Sequence, residues 1–159
     1  MSLERVRKEI SDTKRDFESD IENADKIAES KKRTMSGLES IVNIPDEGDR
    51  AALDNAKDSV RSDAKSDFAD RVDSSINDHA SRAEGTQSEA QGFQDQVNEN
   101  ASEAKSIASS SDYGKSGMMS FADLMDQRGR DYGSAIDESR QDVQNARQQA
   151  DARRHELDS

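Results

Sequence analysis

Val60-Arg61-Ser62-Asp63-Ala64-Lys65-Ser66-Asp67-Phe68-Ala69-Asp70-Arg71-Val72-Asp73-Ser74-Ser75-Ile76-Asn77-Asp78-His79-Ala80 places an apolar residue at every fourth position, with polar residues filling nearly all the rest. It belongs to a longer stretch, Asp46 to Ser111, that is almost free of helix breakers. The same stripe starts upstream at Leu53 and Ala56 and continues through Ala83, Ala90, Val97, Ala101, Ala104 and Ala108. Spacing of three and four residues lays one thin apolar line along a helix. Such a line needs partner helices, and the segments on either side are suited to supply them. The spacing of four from Val60 to Ala80 is wider than a heptad, which predicts a locally straight or right-handed supercoil.

The pattern changes at Glu84-Gly85-Thr86. Gly85 is suited to end a helix, and Thr86 with Glu89 has the form of a capping box. We expect the helix to run on, with a break at Gly85 as the alternative. From Ala80 to Ala108 the stripe is mostly alanine, which permits close helix approach but buries little area, so this half is expected to be the weaker one.

Upstream, Leu3, Val6, Ile10, Thr13, Phe17, Ala24, Ile27, Leu38 and Ile41 hold heptad-type positions. This predicts a helix over residues 3–43 with a seam that weakens at Asp20, Lys31 and Thr34. Pro45, the only proline, disfavours helix at Ile44, and Asp46 or Asp49 is placed to cap the next helix. Downstream, Ser109 to Gly117 reads as a turn. A last helix is expected over residues 117–155, capped by Ser120 or Asp123. Gly129 and Gly133 weaken its middle if exposed, and its polar last turns are expected to fray. The expectation is a single all-α domain spanning residues 1–159. It would be an elongated antiparallel bundle or coiled coil of three long helices (3–43, 47–111 and 117–155), or four if Gly85 breaks the middle one.

Composition limits the rest. Apolar residues make up 30% of the 159, aromatics 4% and charged residues 36%, with a net charge of −12. Those values resemble a disordered chain, but the periodic placement of the few apolar residues argues for ordered, thin helices. No stretch approaches the roughly 20 apolar residues of a membrane span. The amphipathic start, Leu3 to Ile10, is no ordinary signal peptide, so a cytoplasmic location is expected, with signal-independent secretion left open. The acidic balance opposes nucleic-acid binding. It also fits adaptation to high salt, which a melting temperature rising from low to molar KCl would test.

Little chemistry is visible. There is no cysteine, and His79 and His155 stand apart on polar helical stretches, where each reads as solvated. Glu-x-x-His pairs, calcium loops and phosphate loops are absent, Gly114-Lys115-Ser116-Gly117 lacking the upstream glycine and strand of a P-loop. No catalytic, cofactor or metal residues are assigned, no cofactor is expected, and the chain is read as non-enzymatic. The most apolar short window is Met118-Met119-Ser120-Phe121-Ala122-Asp123-Leu124-Met125. Met118, Met119, Phe121, Leu124 and Met125 either form helix core or present an adaptable docking surface for another protein.

Two functions follow. One is a scaffold, spacer or structural subunit that assembles with itself or with another helical protein. The alternative is a helical secretion partner, adaptor or chaperone; a hydrophilic stress protein comes third. Helices joined by a Gly-containing turn in an acidic chain are also features of small type VII secretion substrates. Their Trp-x-Gly turn is absent here, and Tyr132 is followed four residues on by Ile136 and not by an acid, so membership of that family is not read.

Overall fold

A computed structural model describes residues 2–110 and 113–158. The chain is all-α, a bundle of long helices: α1 (Leu3–Glu39), α2 (Glu47–Phe68), a π-helical turn (Ala69–Asp73), α3 (Ser74–Ser110) and α4 (Lys115–Glu156). No strand occurs among the described residues. Ser111 and Asp112, part of the turn expected from the sequence, lie outside them.

Residues 47–110 form one uninterrupted helical run, since Phe68, Ala69 and Ser74 all keep right-handed helical dihedrals. Its π turn explains the spacing of four. On an ideal α-helix, residues four apart drift by about 40° per step, so a stripe from Val60 to Ala80 would wind off its partners. Ser74 N–H bonds to Ala69 C=O, five residues back. That wider turn takes up one extra residue and restores the stripe to the inside. Ala64, Phe68, Val72, Ile76 and Ala80 are all buried.

Gly85 does not end the helix. Thr86 is buried, and its hydroxyl donates to the Arg82 carbonyl at 3.2 Å, one turn back. It satisfies itself inside the helix and caps nothing. The cap of α2 is Asp46, whose Oδ1 accepts from the N–H groups of Gly48 at 2.7 Å and Asp49 at 3.1 Å. α1 stops at Glu39, four residues short of expectation. Asn43 takes a left-handed φ of 61°, and Ile41 and Val42 find no cover that would reward another helical turn. α4 begins at Lys115, after Gly114 at φ 72°, so Ser120 and Asp123 lie within the helix and do not cap it.

The chain divides into two compact units. Unit 1 comprises the residues up to Lys14 together with Ala80–Val143. Its core gathers Val6, Ile10, Ala90, Tyr132, Ala135 and Ile136, with Leu3, Phe93 and Val97 packed against them. Gln87 bonds to Ser139, Gln94 to Gly129 and Lys105 to Asp126, numbers rising in α3 as they fall in α4. Gly129 and Gly133 are not weak points. Gln94 Nε2 donates to the Gly129 carbonyl at 2.9 Å, and a Cβ on Gly133 would meet the same amide at 2.8 Å. Gly133 leaves room for Gln94 and Gly129 for Asn98, so both side chains lie directly on the α4 backbone.

Unit 2 comprises Arg15–His79 and the residues from Gln144 onward. It buries Phe17, Ile21, Ala24, Phe68, Val72, Ile76 and Leu157. The end of α4 is fastened. Lys31 is buried and its ammonium donates to the carbonyl of Leu157 at 3.1 Å, satisfying one of the free acceptors that every helix end leaves. Arg154 pairs with Asp73 and Asp151 and lies 5.4 Å from the centre of the Phe68 ring. Burial works against the Arg154 charge, but these two carboxylates outweigh it and raise its pKa.

Candidate functional site: an apolar patch at the start of α4

The Met118–Met125 window forms the first turns of α4, where positions three and four apart share a face. Met125 points inward and is buried. Met118, Met119, Phe121 and Leu124 are 37%, 39%, 44% and 50% exposed. α3 contributes Ile107, itself 50% exposed. Ile107, Ala104, Met118 and Phe121, with Asn100 and Glu103 on the polar side, line a depression of about 400 Å³.

Sequence reasoning missed Ile107 because it sits one residue off the Ala101, Ala104, Ala108 stripe. A large aliphatic beside a stripe of alanines was the available signal. Ala104 and Ala108 face inward and are buried, which leaves the longer neighbour at the surface. Close by, Lys105 bridges to Asp126 at 2.8 Å, which takes up the lysine of this end of α3.

A second cluster, in unit 2, was also unforeseen. Asp20 is buried in the α1 seam; its Oδ1 accepts from Ser75 Oγ at 2.6 Å and its Oδ2 lies 2.6 Å from His79 Nδ1. A carboxylate only accepts, so the Nδ1 hydrogen points at it. The imidazole also stands edge-on to Phe17 at 6.1 Å. His79 is therefore a partly buried tie between helices and not the solvated residue expected. His155 is 87% exposed at its side chain. The Asp20 cluster has serine, histidine and aspartate but not the order of a catalytic triad, in which histidine stands between the other two. Here the aspartate occupies the middle, and Ser75 bonds to it and not to the histidine.

Among the described residues no group of three or more His, Asp or Glu side chains is placed to hold a metal ion. No described helix is long and apolar enough to cross a membrane. Comparison with known protein families, with curated proteins and with solved structures finds no match for this chain.

Proposed function

We propose that the protein is a non-enzymatic, cytoplasmic helical scaffold or structural subunit that works by associating with other protein chains. The observation that carries this reading is the patch on α3 and α4. In a chain with only 30% apolar residues, Ile107, Met118 and Phe121 line one depression at the surface, and Met119 and Leu124 are exposed on the same turns of α4. Contiguous exposed apolar groups in a soluble chain mark interaction sites. Methionine side chains repack around different partners, which suits the apolar face of a partner helix.

The reading is tested with Met119→Ser/Phe121→Ser. The variant is expected to keep wild-type helicity by circular dichroism and to lose the partners that the wild-type chain captures. Loss of helicity would return these residues to the core, and undiminished capture would remove the patch from the account.

A further inference from the structure

We propose that the far end of the α1–α2 hairpin, in unit 2, is an interface for a second copy of this chain. The hairpin outruns its third helix. Lys31 bonds to the last carbonyls of α4, at Glu156 and Leu157, so α4 ends at the level of Lys31 while α1 continues to Glu39. A depression of about 490 Å³ opens there between Glu156 and the α1 residues Ala28, Met35 and Glu39. Beyond Met35 no residue of α1 is buried, and none in α2 before Ala64. Yet apolar groups persist: Leu38, Leu53 and Val60 are half-buried, and Ile41 and Val42 are exposed. Two helices without a third rarely hide a seam, and a second hairpin laid on the first would close four helices around it.

Charge selects the occupant. Of the run Lys31-Lys32-Arg33, Lys31 is taken up by the end of α4, while Lys32 and Arg33 are exposed on the α1 side. The first half of α2 carries Glu47, Asp49, Asp54 and Asp58 against Arg50 and Lys57. A two-fold axis across the hairpin brings the basic turn of each copy to the acidic turn of the other, the self-complementary arrangement an isologous dimer requires. A wholly basic partner would be repelled at one side of this hairpin and a wholly acidic one at the other.

The inference shares the association reading but not its surface, so the patch variant Met119→Ser/Phe121→Ser should dimerise like the wild type. Lys32→Glu/Arg33→Glu and Asp54→Lys/Asp58→Lys are each expected to fall from a dimer to the 17.6 kDa chain by light scattering. Mixed together, they should form the dimer again, since each supplies the charge the other now needs. Ile41→Asp/Val42→Asp, at exposed positions in the connection, should also give the single chain with helicity intact. Reversed variants that dimerise alone, a mixture that stays monomeric, or a wild-type chain that is monomeric throughout the concentration series would overturn the proposal.

Discussion

Unit 1 and unit 2 draw on the same poor supply of apolar residues and hold together differently. Unit 1 gathers its few large side chains around Tyr132 and Ile136 and relies elsewhere on alanine and glycine, which bring backbones close. Unit 2 sets polar groups in its seam and satisfies them: Asp20 with Ser75 and His79, Lys31 with the end of α4, Arg154 with Asp73. Unit 1 should therefore be sensitive to added volume, and unit 2 to the loss of single partners. A weak core can be offset by close approach or by buried polar ties; close approach leads in unit 1, beside its Gln87–Ser139 and Gln94–Gly129 bonds, and polar ties lead in unit 2.

The largest expected effect is in unit 2. Phe68 is 1% exposed, beside the π turn and under Arg154, and Phe68→Ala should cost about 3–5 kcal/mol in chemical denaturation. A loss below about 1 kcal/mol would mean that the site collapses freely and that the π turn has no fixed core to serve. Next comes Asp20→Ala, which strips Ser75 and His79 of their shared acceptor. We expect about 1.5–3 kcal/mol, read from the urea midpoint, the range for hydrogen bonds to a charged group. Gln94→Ala in unit 1 should cost only about 1 kcal/mol, because its bond to Gly129 is between neutral groups. Equal losses from Asp20→Ala and Gln94→Ala would erase the contrast between the units.

Two glycines sharpen the unit 1 side. Gly85 has nothing near the position of an added Cβ, so Gly85→Ala should raise stability by up to about 1 kcal/mol through helix propensity. Gly133→Ala should forfeit that gain, since its Cβ would push Gln94 away. Melting both variants side by side separates propensity from packing. The smallest effect is ionic. Lys65, 3.0 Å from Asp158, holds that exposed carboxyl below its ordinary value of 3.8 through a hydrogen bond and its charge. A lowered carboxyl contributes stability that is present above the ordinary value and lost as pH falls through the folded one. Wild type and Lys65→Met should thus differ slightly above pH 3.8 and converge in more acid solution.

The all-α fold was legible because the apolar residues recur at three and four. The four-residue spacing at Val60 to Ala80 pointed to a departure from the heptad, but not to how the backbone absorbs it; one π turn does so. Caps were less legible. Thr86 looked like a cap by its neighbours, but its hydroxyl turned back to its own helix, a choice set by burial that spacing does not reveal. The end of α4 looked too polar to hold, yet Lys31, Lys65 and Asp73, all more than 80 residues away in sequence, fasten it. The Met118–Met125 window was visible as an apolar cluster. Four of its five large side chains lie at the surface, which apolar content alone did not reveal.

The claim that this protein acts by association is tested most directly by the molar mass of the wild-type chain in size-exclusion chromatography with light scattering, at low and at molar salt. The account predicts twice the 17.6 kDa chain mass at low salt, with the charge-matched dimer weakened as salt screens it. A mass of 17.6 kDa at every concentration and salt level would contradict self-assembly and leave only the patch on α4 to meet a partner.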